Sequence, residues 1–200
     1  MTNNLVFIMN KAVAITNMNN SVSASTHIQH RTFERRQLIP EQEQVLWKIQ
    51  RGSVRALTWD ENGVYTTLGY WGVGDIVGYS LSRVQPYHLE CISGVELASI
   101  PSEKLHENLD QLLSRIQRTE ELVSIVNSKR VSTRIWQFLI WLSDKFSRDL
   151  QDGKLIDLHI THQEIADVLN TTRVTVTRVL RDLEDEGKLR RHKRWLIISA

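Results

Sequence analysis

The chain has 200 residues, a formal net charge of +2 from 25 Lys+Arg against 23 Asp+Glu, and 41% hydrophobic residues. That composition suits a globular chain with room for one domain or two small ones, and its mild basic excess permits nucleic acid without requiring it. The single cysteine, Cys91, excludes an intrachain disulfide scaffold and any Cys-rich zinc or iron–sulfur cage built by one chain, and it fits a reducing, cytoplasmic setting.

No apolar run approaches the roughly 18 residues needed to span a bilayer, so no membrane partner is expected. The first thirty residues are rich in Asn and hold one basic residue, Lys11. The apolar run Leu5 to Met9 precedes that charge, the reverse of a secretory signal. Residues 1–32 therefore read as a tail without fixed structure, and Met1, Met9 and Met18 all stand as candidate starts.

From Phe33 to Pro101 the pattern is strands and turns. Val45 to Ile49, Ser53 to Trp59 and Val64 to Tyr70 are β-rich, and Asp60-Glu61-Asn62-Gly63 marks a hairpin between the last two. Gly72, Gly74 and Gly78 punctuate turns, and Leu89 to Ile92 and Val95 to Ile100 close the series. Short strands at this spacing predict an antiparallel roll or barrel.

From Ser102 the period becomes helical. Leu109, Leu112, Ile116, Thr119, Val123 and Val126 step by 3, 4, 3, 4, 3, an a/d seam with charged flanks. It predicts a helix over 102–129 that pairs with a second copy. Arg130 to Lys145 forms another helix, with Ile135, Phe138, Leu139 and Leu142 as its core stripe and a hinge near Asn127 to Val131. Gln151-Asp152-Gly153 reads as a loop.

The segment from Thr161 to Trp195 carries the chemistry. Thr161-His162-Gln163-Glu164 has the spacing of a capping box opening a short helix. Small Ala166 permits a close helix crossing, Asn170 suits a left-handed turn, and Thr171 or Thr172 caps a second helix from Arg173 to Glu186. Val176, Val179, Leu180 and Leu183 form its buried face. Arg173, Val174, Thr175, Thr177, Arg178 and Arg181 remain for the other.

This is the pattern of a helix-turn-helix, whose second helix reaches base edges in the major groove. Arginine near that helix's N-terminus suits bidentate bonding to guanine O6 and N7. After Gly187, five positive charges follow without an acid: Lys188, Arg190, Arg191, Lys193 and Arg194. Trp195 to Ile198 then returns as an apolar strand. A basic hairpin at this point is expected to serve as a wing on phosphates, through Arg191, Lys193 and Arg194. Thr161, His162 and Thr172 stand at the helix starts that face the same backbone.

These residues resemble the Crp/Fnr superfamily of bacterial transcription regulators. Leu46-Trp47-Lys48-Ile49-Gln50-Arg51-Gly52-Ser53-Val54-Arg55, Gly63 and Gly74-Asp75-Ile76-Val77-Gly78 resemble its β-roll, and Thr161 to Arg194 resembles its DNA-binding domain. The resemblance covers about residues 33 to 200. It implies an α+β fold: a cyclic-nucleotide-binding-like antiparallel β-roll over 33–101, a long dimerisation helix over 102–129, and a winged helix-turn-helix over 130–200. The partners it implies are double-stranded DNA, a second copy of the chain and RNA polymerase. No cofactor and no metal site is expected.

Thr172-Arg173-Val174-Thr175-Val176-Thr177-Arg178 is similar to the recognition helix of the cyanobacterial nitrogen-control regulators, where Glu commonly stands in place of Val174. Glutamate accepts from cytosine N4, whereas valine meets a thymine methyl, so GTA and TAC half-sites are expected, with Arg173 on guanine.

The roll departs from the superfamily at its ligand site. Cyclic-nucleotide binders place Glu after the glycine matching Gly78, and Arg-Ser where this chain has Gln85 and Pro86. Here Tyr79 follows Gly78, and Arg83 lies two positions off. A buried phosphate without its arginine is poorly compensated, so cyclic AMP is not expected. The nitrogen-control regulators bind 2-oxoglutarate, and their contacts on the long helix match Arg115 and Glu120. Gly78, Arg83, Arg115 and Glu120 are thus the candidate effector residues, with a ligand-free roll that serves only dimerisation or protein contacts as the alternative. His88 is read as a packed strand residue, not a haem or metal ligand. No nucleophile–base set or Gly-rich phosphate loop indicates an enzyme.

Overall fold

The computed structural model describes residues 28–42 and 44–199. The expected tail lies largely outside them. Its last residues do not: β1 (His30–Phe33) pairs antiparallel with β7 (Val95–Ile100), from His30↔Ala98 to Phe33↔Val95. Four mostly exposed residues on an edge strand carry no apolar alternation, which is why periodicity misses them.

The N-terminal half is built of two antiparallel sheets. One has the order β1-β7-β2-β5, with β2 (Leu46–Arg51) and β5 (Ile76–Val77). The other runs β4-β3-β6, with β3 (Val54–Trp59), β4 (Tyr65–Trp71) and β6 (His88–Cys91). Period-2 alternation turns Trp47, Ile49, Val54, Ala56, Leu89, Cys91, Val95 and Leu97 inward into one apolar core. The β3–β4 turn is held as the sequence implies: the Asp60 carboxylate accepts from the backbone N–H groups of Asn62 and Val64, both at 2.9 Å. At the β2–β3 turn Gly52 has φ +84°, and a Cβ there would stand 2.1 Å from the Gly94 carbonyl oxygen, so only glycine fits.

A 3-10 segment (Ser102–Asn108) leads into α1 (Leu109–Val126), and α2 (Val131–Phe146) follows. Leu122 of α1 and Ile135, Phe138, Leu139 and Leu142 of α2 are buried. The face of α1 turned away from them leaves Leu109, Leu113, Ile116 and Val123 more than half exposed. Leu113 is absent from the a/d series read from the sequence. Leu112 and Val126, which belong to it, are half-buried, and Val126 packs on the core of its own chain.

The stretch around Gln151–Gly153 is the turn of a hairpin, β8 (Ser147–Leu150) with β9 (Gly153–Ile156). The sequence suggested only a loop there, since β8 is exposed and polar. Then come α3 (His162–Val168), α4 (Arg173–Asp185), β10 (Leu189–His192) and β11 (Trp195–Ser199), with β9 pairing β11 in a sheet of order β10-β11-β9-β8. The apolar residues of α2, α3, α4 and β11 share a second core, which Tyr70 of the roll also joins. This is an α+β architecture of roll, long helix and winged helix-turn-helix.

Candidate nucleic-acid interface

The presentation of α4 follows from local chemistry. The Thr161 hydroxyl accepts from the Glu164 N–H at 3.2 Å, and the Glu164 carboxylate accepts from the Thr161 N–H at 2.6 Å, completing the capping box. Ala166 is fully buried where α3 meets α4. Asn170 has φ +48°, and the Thr171 N–H donates back to the Ala166 carbonyl at 3.0 Å, closing the end of α3. Thr172, not Thr171, caps α4, accepting from the Thr175 N–H at 3.1 Å. At the far end Gly187 (φ +72°) turns the chain, and the Lys188 N–H bonds the Leu183 carbonyl.

With Val176, Val179, Leu180 and Leu183 buried, the other face of α4 is open. Arg173, Arg178 and Arg181 are exposed, and Val174 is 78% exposed, an unusual degree for an aliphatic side chain. Thr175 is half-buried, with its hydroxyl 2.9 Å from that of Thr172.

His162 joins the two helices. Its Nδ1 lies 2.8 Å from the Thr177 hydroxyl, which itself donates to the Arg173 carbonyl at 2.9 Å. The hydroxyl has one proton, so His162 must be the donor to Thr177, with its proton on Nδ1. Burial, and then the charges of Arg191 and Arg173, push the His162 pKa below its ordinary value.

The basic run after α4 divides by partner. Lys188 pairs with Glu186, Arg190 with Asp152 in the β8–β9 turn at 2.6 Å, and Arg191 with Glu184 through two bonds of 2.6 and 2.8 Å. Arg191 therefore ties the wing to α4. Lys193, at φ +56° in the wing turn, and Arg194 make no ion pair among the described residues. Nor do Arg173, Arg178 and Arg181. Arg194 lies over the Trp195 ring at 5.0 Å and lines a cleft of about 820 Å³ between wing and roll, together with Arg35 and Lys145. The pairing of Arg190 with Asp152 and of Arg191 with Glu184 has no signal in the sequence, because folding makes both pairs.

The effector candidates lie elsewhere. Arg115 donates to the Ile76 carbonyl and to the Tyr87 hydroxyl, both at 3.2 Å, and its guanidinium sits 3.9 Å above the buried Trp71 ring. Tyr87 meets Tyr79 edge-on at 5.7 Å, and the Tyr79 hydroxyl donates to the Ile39 carbonyl at 2.8 Å. Gly78 is wedged against Leu46, whose side chain would stand 2.7 Å from an added Cβ. Glu120 and Arg83 are exposed. His88 stacks on Trp59 at 4.5 Å. No group of three or more His, Cys, Asp or Glu side chains suited to a metal occurs among the described residues, and none of their helices is long and apolar enough to cross a membrane.

Residues 133–200 match the Crp-like helix-turn-helix domain. The regulatory protein CysR of Synechococcus elongatus is 38% identical over 180 residues, covering 88% of this chain and 87% of its own. The global nitrogen regulator of Nostoc sp. is 33% identical over 123 residues, 56% of this chain and 55% of its own. Among solved structures, a CRP-family transcriptional regulator of Thermus thermophilus shares the fold at TM-score 0.71 and 24% identity, covering 85% of this chain and 92% of its own. A cyclic nucleotide-binding domain containing protein of Listeria monocytogenes does so at 0.76 and 14%, covering 97% of each. With a helix-turn-helix that leaves its second helix open, and a relative of this identity along most of its length, the chain belongs to the Crp/Fnr family of DNA-binding transcription regulators.

Proposed function

We propose that the chain acts as a homodimer on a palindromic operator, with α4 in the major groove of each half-site. The observation that carries this is the exposed face of α4: Arg173, Val174 and Arg178 stand clear of the protein, and the three arginines of that helix lack carboxylate partners among the described residues. Arg173 reads guanine, Val174 meets a thymine methyl, and Lys193 and the helix starts at Thr161 and Thr172 contact phosphates. Pairing two copies through Leu109, Leu113, Ile116 and Val123 of α1 covers four exposed apolar side chains, which water otherwise meets. The half-sites then lie about one helical turn apart. RNA polymerase is the partner on which such a regulator acts.

A second reading concerns the roll. Arg115, which would hold an effector carboxylate, is already bonded to Ile76 and Tyr87 and lies over Trp71. We infer that these contacts hold α1 on the roll without a small molecule, and that the roll serves dimerisation and domain placement. A 2-oxoglutarate site would need this cluster to open.

Binding selection on random duplexes with the purified chain tests the first reading. Recovery of GTA and TAC half-sites as a palindrome supports it. A TGTGA-type palindrome, or single unpaired sites, contradicts the assignment of Val174 or of the dimer.

A further inference from the structure

Arg55 is placed by a strand register that spans one whole sheet. On β3 it stands opposite Tyr70 of β4 and Glu90 of β6, so Tyr70, Arg55 and Glu90 form one row across the sheet. Directly opposed residues in a sheet project to the same face. That face meets the DNA-binding half of the same chain. Tyr70 packs against Phe138 and Trp141 of α2, with ring centroids at 6.1 and 6.5 Å. Arg55 divides its guanidinium between two carboxylates: Nε donates to Glu90 at 2.7 Å, and Nη1 donates to Glu164 at 2.9 Å. All three side chains are mostly shielded, at 19%, 17% and 27% exposure.

Glu164 is the capping-box residue of α3. One of its oxygens accepts from the Thr161 N–H, and the other accepts from Arg55. The carboxylate that starts the first helix of the helix-turn-helix is thus also its ion-pair attachment to the roll. The other roll-to-helix ion pair among the described residues, Lys145 with Asp75 at 2.7 Å, holds the end of α2 and not the helix-turn-helix itself. A shared, shielded carboxylate between two rigid units fixes an angle as well as a distance, because a guanidinium fork bonds in its plane.

We propose that Arg55 is a positioning residue for DNA binding: it holds α3 through Glu164, so that the two α4 helices of a dimer are presented at one spacing. The inference rests on the palindrome reading above. It goes beyond it by assigning the spacing to a side chain of the roll, 109 residues from its partner in sequence.

The test uses the full chain and fluorescein-labelled duplexes that carry two copies of the selected half-site, re-spaced in single base-pair steps, with a one-half-site duplex as control. Glu164→Gln keeps the capping box, since glutamine also serves at that position, but removes the charge that Arg55 holds. Arg55→Met keeps the apolar stem without the fork. The wild-type chain should lose about tenfold in affinity when the spacing is moved, and each variant should lose that discrimination. The double variant should be no worse than either single one, because the two residues act through one contact. Arg55→Lys should fall between, and affinity for the one-half-site duplex should stay equal throughout. A wild-type chain indifferent to spacing contradicts the palindrome reading and this inference with it. Wild-type discrimination that survives in both Glu164→Gln and Arg55→Met overturns the positioning role alone.

Discussion

Arg115 at the roll and the arginines of α4 are placed in opposite ways. Against the roll, Arg115 of α1 is half-buried, bonded to a backbone carbonyl and a tyrosine hydroxyl and laid over an indole ring. In the winged helix, Arg173, Arg178 and Arg181 stand in solvent without a carboxylate partner among the described residues. Desolvated donors that are already satisfied have little to offer a ligand, whereas exposed unpaired ones along one helix face are ready for an anionic polymer. This contrast supports the proposal that recognition lies in the winged helix and that the roll serves as a scaffold.

Five variants break or sharpen this contrast. The largest effect is expected at Arg173. Arg173→Ala should cost about 1–3 kcal/mol at one base position, seen as relaxed preference there in a binding selection while the other positions hold. Arg115→Met should lower folding stability by about 2 kcal/mol, measured by denaturant midpoint, because it removes the ring contact and two hydrogen bonds. An unchanged midpoint would show that the cluster is not holding the roll and α1 together. Lys193→Ala should weaken binding evenly across sequences and reduce the slope of log K against log salt by about 1. Arg191→Ala should act differently, since Arg191 is bonded to Glu184 and its loss leaves that carboxylate without its ion-pair partner.

The smallest effect is the pH dependence at His162. Its pKa lies below the ordinary value in the free chain because of burial and the nearby Arg191 and Arg173, partly offset by Glu184. On the proposed placement of the α3 start at the DNA backbone, phosphates favour the cation and binding takes up a proton. Affinity should therefore rise a few-fold as pH falls from about 8 to about 6, and His162→Gln should flatten that slope. Binding that weakens on acidification would place His162 away from phosphate.

The winged helix was legible because its signals are local. Thr161 and Glu164 lie three residues apart, Asn170 takes the left-handed turn, and Val176 and Val179 sit on one face within a single helix. What was not legible depends on partners distant in sequence. The run of five positive charges looked uniformly available, yet Arg190 and Arg191 are neutralised by Asp152 and Glu184, and Arg194 lines the cleft toward the roll. Glu164 was readable as a cap and unreadable as the partner of Arg55. Leu113 was hidden because an a/d count assumes a symmetric seam, while α1 spends one side on its own chain. Cys91 is buried in the roll core, where burial pushes its thiol up to about 12.

The contrast between a filled roll and an open recognition helix is tested most directly by titrating the selected palindrome with the dialysed chain, alone and with 2-oxoglutarate or cyclic AMP. The account predicts one affinity in all three conditions and a stoichiometry of two chains per duplex. Binding that appears, or tightens tenfold or more, only when one of these metabolites is added would contradict it.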